Sequence, residues 1–144
     1  MGFIIPTQHA QLMDSGNEPF TATTLAGIGA SVAGILKHPS ETANRFCHVH
    51  SIRTSQNDIL LAFERITGQK WTVEHLNSEE ILARGREKLK NGDRKGMLDV
   101  LTVQLFEEGT GRSIVVSEED SDNALLGVPQ EKIDEIVHQV LMGA

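Results

Sequence analysis

The sequence predicts an α/β (α+β) fold: a small parallel sheet with a βαβ unit, at about residues 46–75, surrounded by helices. Within that stretch a strand pattern, a helix pattern and a second strand pattern follow one another, and such a crossover places its two strands parallel. The residues after it show mostly helical periodicity, which predicts a helix-rich C-terminal half. A length of 144 residues suits one domain, over residues 1–144.

The N-terminal third predicts a short strand and one long helix. Residues 8–13 carry an extended pattern, and residues 15–17 carry a turn signal. Thr23 or Thr24 is placed to cap a helix over residues 25–37, which Pro39 ends. The small residues on one face of this helix let another backbone come close, so we expect it to pack on two sides. Its opposite face is apolar: Leu25, Ile28, Val32, Ile35 and Leu36.

The predicted βαβ unit begins with a strand at residues 46–52, with Val49 at its centre. Thr54 or Ser55 is placed to cap the following helix, and Gly68 suits the left-handed position that ends it. The second strand is predicted from the alternation of Trp71, Val73 and His75.

The C-terminal half predicts three longer helices. Asn77 caps the first, over residues 78–91, and Asp93 caps the second. Residues 97–106 of the second helix are apolar nearly all round, which predicts burial on more than one side. A short edge strand is predicted at residues 114–116, before an acidic segment at residues 118–120. The last helix is predicted to begin at Pro129.

Composition excludes several classes of protein. The net charge of −7 and the lack of a dense basic stripe argue against nucleic-acid binding. Cys47 is the only cysteine, so no intrachain disulfide forms and secretion gains no support. No apolar run approaches the roughly 20 residues that cross a bilayer. We therefore expect a cytoplasmic protein without a membrane partner.

A dinucleotide site is not predicted. Its fingerprint needs closely spaced glycines between a strand and a helix, so that backbone reaches the pyrophosphate. Gly27, Gly29 and Gly34 fall inside the predicted first helix, and no phosphate-binding loop is present. We expect no cofactor, so this chain alone is not predicted to be a nicotinamide-dependent oxidoreductase.

Two histidines are the candidate catalytic residues. On the predicted strand His48 and His50 point to one face, and His75 ends the neighbouring strand. Three interpretations stay open: a metal site, an acid–base or substrate-contact role, and a hydrogen-bonded core histidine beside an exposed one. We predict no metal. Cys47 points to the opposite face and is interpreted as a small core residue rather than a nucleophile.

An apolar pocket is a second candidate site, and plain core packing is the alternative interpretation of the same pattern. Arg112 or His50 is the candidate polar group that polarises a carbonyl there. Asp99 lies on the most apolar helix, either on a solvent strip or at a pocket edge with a raised pKa. The candidate substrate-binding residues are Phe20, Ile52, Trp71, Met97, Leu101, Leu105, Phe106 and Arg112.

Short motifs spread over nearly the whole chain carry a family resemblance: Asn17-Glu18-Pro19-Phe20, Thr23-Thr24-Leu25, Ile28-Gly29, His38-Pro39, residues 41–45, residues 54–60, Thr67-Gly68, Lys70-Trp71, residues 85–89 and residues 123–129. In combination they resemble the C-terminal, substrate-binding half of NmrA-like proteins, in the isoflavone-reductase-like branch of atypical short-chain dehydrogenases. The resemblance implies that the N-terminal Rossmann domain, with most cofactor contacts and the family's catalytic Lys or Tyr, is missing. This chain has no Tyr. His48 and His50 depart from the aromatic and small polar residues usual in the family.

These observations lead to three functional hypotheses for a chain that we take as a complete short protein. The first is a cofactor-independent cyclase or isomerase that orients a hydrophobic, natural-product-like small molecule in an apolar pocket. The second, implied by the resemblance, is a regulatory or dimerisation module of the NmrA-like corepressor type, which binds a protein partner. The third is a degenerate remnant. Because half of such a fold exposes an apolar face, we also expect a homodimer.

Overall fold

The computed structural model describes residues 2–114, 117 and 120–143, and it confirms the mixed α/β class. The strands are β1 (Gly2–Ile4), β2 (His9–Met13), β3 (Phe20–Ala22), β4 (Ile52–Thr54) and β5 (Thr72–Leu76). The helices are α1 (Leu25–Lys37), α2 (Pro39–Thr42), α3 (Gln56–Thr67), α4 (Ser78–Lys90), α5 (Gly96–Phe106), α6 (Asn123–Leu126) and α7 (Ile133–Gly143).

The strands form two small sheets. In the first, β2 lies between β1, which is antiparallel to it, and β5, which is parallel to it. The second sheet pairs β3 with β4 in antiparallel register, Phe20 opposite Thr54. β2 carries the buried side chains of Ala10, Leu12 and Met13, which explains its central position.

The sequence predicts that the two strands within residues 46–75 pair in parallel, and this pairing is wrong. The structure does contain one parallel pair among its described strands, but with a different partner for β5. The parallel partner of β5 is β2, and β4 belongs to the other sheet. The predicted strand at residues 46–52 is also displaced, because β4 covers only Ile52–Thr54. The backbone amides of His48 and His50 instead donate to the side chains of Asp122 and Asn123. These side-chain oxygens take the place of the backbone acceptors that a neighbouring strand would supply.

The main core lies between the first sheet, α3 and α7. Its aromatic residues pack together, with the Phe63 and Trp71 ring centroids 4.8 Å apart and those of Phe3 and Phe63 5.3 Å apart. The buried residues of this core are Ala10, Leu12, Ala62, Phe63, Trp71 and Val137. A second, smaller buried cluster joins Met13, Ile81 and Val103.

Side-chain caps set the helix starts that the sequence predicts well. Thr24 accepts a hydrogen bond from the Gly27 amide, and Ser55 forms a reciprocal capping box with Asp58. The Asn77 side chain caps α4 by accepting from the Glu80 amide. Each cap satisfies an amide that lacks a partner within its helix.

Two predicted helix starts are wrong. Asp93 does not cap α5, because its carboxylate accepts from the Lys95 amide inside a turn that precedes the helix. Pro129 lies outside α7, which begins at Ile133. The Glu131 amide donates to the Ser51 carbonyl oxygen at 2.7 Å, and this bond holds the segment before α7 against β4.

The sequence predicts burial of the apolar helix α5 on more than one side, and α5 does pack on two sides but is more exposed than expected. Gly96 and Val103 are its buried residues, whereas Met97, Leu98, Leu101 and Leu105 are about half exposed or more. α4 packs along one side of α5, where Asp99 of α5 pairs with Arg84 and Lys88 of α4. Another side packs through Val103 on Met13 of β2 and through Phe106 on Phe20 of β3.

Two predicted features near residues 114–120 cannot be compared with the structure. The predicted strand at residues 114–116 and the acidic segment at residues 118–120 lie largely outside the described residues. Within the described ranges, each helix is too short or too polar to cross a bilayer.

Candidate functional site

A cavity of about 470 Å³ lies between β3, the C-terminal end of α5 and the loop that follows α5. Residues 20–22, residues 104–106, Arg112 and Ser113 line it. A second cavity of about 280 Å³ adjoins it and shares Phe20 and Phe106. The rings of these two residues meet edge to face, with centroids 5.1 Å apart and planes at 80°. They therefore form the common wall of a two-part, mainly apolar space.

Ser113 ties the strand wall of this cavity to its helix wall. The Thr21 amide donates to the Ser113 carbonyl oxygen at 2.9 Å. In turn, the Ser113 hydroxyl donates to the carbonyl oxygen of Leu105 at 2.7 Å. Ser113 is itself buried, so both bonds are shielded from water. β3 and the end of α5 are thereby fixed relative to each other.

Glu18 fixes the loop that carries Arg112. Its buried carboxylate accepts from the Gly109 amide at 2.7 Å and from the Gly111 amide at 2.6 Å. The Thr110 hydroxyl donates to the same carboxylate at 3.4 Å. Paired backbone amides of this kind form a small concave anion site that stabilises a buried charge. Sequence reasoning missed this role, although Glu18 stands in one of the quoted motifs.

Arg112 is the cationic group at the cavity edge. Its guanidinium donates to the Glu107 carboxylate at 2.7 Å and to the Gln104 side-chain oxygen at 3.1 Å. The Arg112 side chain is 44% exposed, so it faces both solvent and cavity. It supplies further N–H donors to any ligand that reaches it, since a guanidinium carries five.

The structure brings together four of the predicted substrate-binding residues: Phe20, Leu105, Phe106 and Arg112. The other four lie elsewhere. Ile52 lines a different cavity of about 290 Å³ with Arg53 and Asp58, and Trp71 belongs to the main core. Met97 and Leu101 lie half exposed on α5 and do not line the cavity.

The two candidate catalytic histidines lie apart from this cavity and differ from each other. His48 is exposed, and its backbone amide donates to Asp122 at 2.9 Å. Arg45 and that amide together lower the pKa of Asp122 below its usual value. His50 is buried, and its ring Nδ1 has no hydrogen-bond partner among the described residues. Because residues 46–50 form no strand, the shared face predicted for both rings is wrong.

Among the described residues, no cluster of three or more His, Cys, Asp or Glu side chains could hold a metal ion. The glycines of α1 do not form a pyrophosphate site. Gly27 and Gly34 lie inside α1, where an added Cβ would meet Ser51 Oγ at 2.1 Å and the Leu126 carbonyl oxygen at 2.3 Å. These glycines therefore serve helix packing. The described strand-to-helix turns at Ser55 and Asn77 carry no glycine, so neither turn forms the glycine-rich loop of a dinucleotide site.

Two curated fungal proteins match almost the whole chain. Oxidoreductase poxI of Penicillium oxalicum is 47% identical over 142 residues, a match that covers 98% of this chain and 45% of poxI. Oxidoreductase aprR of Aspergillus flavus is 32% identical over 143 residues, covering 99% of this chain and 48% of aprR. The chain thus spans about half the length of these relatives. No protein-family model matches it.

Solved structures show the same half-length relation. The chain superposes on isoflavone reductase with a TM-score of 0.64 at 14% identity, covering 92% of this chain and 43% of that structure. It superposes on the NADPH-dependent quinone oxidoreductase QOR2 of Escherichia coli with a TM-score of 0.59 at 15% identity, covering 91% and 46%. The chain resembles half of an oxidoreductase. The fold of this chain is therefore that of about half of isoflavone reductase and of QOR2. The substrate-binding role that the resemblance implies remains a prediction.

Proposed function

We propose that this chain is a substrate-binding unit of the oxidoreductase type, which holds a flat, apolar small molecule in the cavity between β3 and α5. The observation that carries the proposal is the edge-to-face pair of Phe20 and Phe106 inside a mainly apolar space with one polar edge. Ligand sites commonly combine an apolar wall with a few placed polar groups. Here Arg112 is the polar group.

In this proposal the chain binds and orients a substrate, and hydride transfer is not assigned to its residues. The relatives are named oxidoreductases, and QOR2 is named NADPH-dependent. The glycines described above lie in helix packing and do not form a cradle for a pyrophosphate. A substrate held against Phe20 and Phe106 with its polar atom near Arg112 has a fixed orientation, and orientation is a large part of many rate enhancements.

A second candidate is the cofactor-independent cyclase or isomerase. The position of Arg112 at the cavity edge favours it, because a guanidinium there polarises a bound carbonyl. The cavity contains no histidine among its described lining residues, so His48 and His50 do not contribute to this version of the chemistry. The regulatory module remains a prediction from the resemblance, and no contact among the described residues favours it.

Binding is tested with 2-acetylnaphthalene, a flat apolar ketone, by fluorescence titration and thermal shift. We expect saturable binding that raises the unfolding temperature of the native chain. Leu105→Trp fills the cavity without removing its walls and is expected to weaken binding at least tenfold. Leu98→Ala, on an exposed part of the same helix, is the matched control and is expected to leave affinity unchanged. Equal affinity in all three proteins would overturn the proposed site.

A further inference from the structure

We infer that the cavity between β3 and α5 selects neutral carbonyl or hydroxyl compounds over carboxylates of the same shape. This inference rests on the proposed function and adds the chemical class of its ligand. It follows from the pairing of Arg112 with Glu107 at the cavity edge.

An arginine at the edge of an apolar cavity ordinarily favours an anionic ligand. Here the Glu107 carboxylate already accepts from the Arg112 guanidinium at 2.7 Å. The pair carries no net charge. It therefore offers hydrogen-bond donors to a ligand without a net positive charge that would attract an anion. A ketone, quinone or phenol oxygen gains a donor from it and gives up little hydration. A carboxylate gives up much more hydration and is attracted much less.

The backbone of Glu107 is fixed on both sides. The Glu107 amide donates to the Val103 carbonyl oxygen at 2.9 Å, as the last bond of α5. The Thr110 hydroxyl donates to the Glu107 carbonyl oxygen at 2.9 Å. The Arg112 guanidinium is in turn held by two acceptors, the Glu107 carboxylate and the Gln104 side-chain oxygen.

Glu18 fixes the backbone that leads to Arg112. Its buried carboxylate accepts from the amides of Gly109 and Gly111, the residues just before Arg112 in sequence. The loop therefore presents Arg112 to Glu107 from a fixed position.

The test compares 2-acetylnaphthalene with 2-naphthoate, which share one ring system and differ in a neutral or anionic oxygen group. Dissociation constants are measured by fluorescence titration at pH 7.5 and low salt. The native chain is expected to bind the ketone at least tenfold more tightly than the carboxylate. Glu107→Gln removes the competing charge, so 2-naphthoate is expected to bind at least fivefold more tightly to it, while the ketone changes less than twofold.

Glu87→Gln is the control variant, because it removes one exposed negative charge on α4 and leaves the cavity intact. It is expected to keep the native ratio, which separates a local effect from net charge. If the native chain binds both compounds equally, or if Glu107→Gln leaves the ratio unchanged, the inference is overturned while ketone binding still supports the proposed function. If neither compound binds, both the proposed function and this inference fail. The native ratio decides the matter even where a variant does not fold.

Discussion

Gly34 of α1 lies directly against the backbone of Leu126 in α6, so that a Cβ at position 34 would come within 2.3 Å of the Leu126 carbonyl oxygen. Leu126 is buried, and its neighbour Asn123 holds the segment around His50 through both its amide oxygen and its amide nitrogen. One close helix contact thereby positions the irregular residues before β4.

We predict that Gly34→Ala destabilises the chain by about 1–3 kcal/mol, because the added methyl group meets backbone atoms that cannot rotate away. Gly29→Ala is the matched control on the same helix, since a Cβ there meets nothing within 4 Å. It is expected to stabilise the helix by about 0.5–1 kcal/mol. Urea unfolding measures both changes, and equal effects of the two substitutions would contradict the close contact.

The apolar face of α1 predicts a homodimer. Leu25 is 88% exposed and Leu36 is 77% exposed, although large aliphatic side chains on a helix normally pack against something. A second copy offers the same apolar stripe in a twofold arrangement. We expect the native chain to be dimeric at micromolar concentration in light scattering after size exclusion.

The paired substitutions Leu25→Lys and Leu36→Lys are expected to give a monomer, because two buried ammonium groups would face their copies. Met142→Lys is the control, since Met142 is as exposed as Leu36 but lies at the end of α7. A native chain that stays monomeric at high concentration would refute the dimer.

Asp99 predicts an acid-dependent loss of stability. Hydrogen bonds from Arg84 and then from Lys88 lower the pKa of Asp99 from 3.8 to about 2. A pKa that is lower in the folded chain stabilises that chain above pH 3.8, and this contribution is lost as the pH falls towards 2. Arg84 is half exposed, so solvent screening reduces the contribution to about 1 kcal/mol.

Asp99→Asn is therefore expected to cost about 1 kcal/mol at pH 7 and progressively less between pH 4 and pH 2, measured by urea unfolding. Glu87→Gln, which alters an exposed acid on α4, is expected to show little cost at any pH. A cost of Asp99→Asn that does not change with pH would show that the ion pairs contribute no stability. The pocket-edge hypothesis with a raised pKa is wrong for this carboxyl.

Substitution of the exposed histidine separates the two candidate sites. His48→Ala is expected to leave 2-acetylnaphthalene affinity within twofold of native, because His48 does not line the cavity between β3 and α5. Loss of binding in this variant, with an unchanged unfolding temperature, would place the ligand near residues 46–50 instead. An acid–base role for His48 or His50 remains a prediction.

Much of the helical framework was predictable, because its signals are local. Thr24, Ser55, Asn77 and Gly68 set helix ends through contacts within about four residues, and the structure confirms each one. The cavity was partly predictable in the same way. Phe20 and Phe106 stand in an extended motif and an apolar helix, where a pocket and a plain core give the same pattern.

What failed depended on residues far apart in sequence. The strand predicted at residues 46–52 was wrong because Asp122 and Asn123, more than 70 residues away, accept from the amides of His48 and His50. The sequence predicts that the apolar stripe of α1 is one of two packed faces, yet the described contacts are made by the small face with Gly27 and Gly34. Glu18 was missed because its partners, the amides of Gly109 and Gly111, leave no trace in side-chain pattern.

The most direct measurement of the proposed binding site is amide chemical-shift mapping by NMR during titration with 2-acetylnaphthalene. The largest changes are predicted at residues 20–22, residues 104–106, Arg112 and Ser113, which line the cavity between β3 and α5. A competing apolar cavity of about 560 Å³ lies at residues 3–6 and Leu141. Changes confined to that region, or no saturable change anywhere, would contradict the assignment of substrate binding to Phe20 and Phe106.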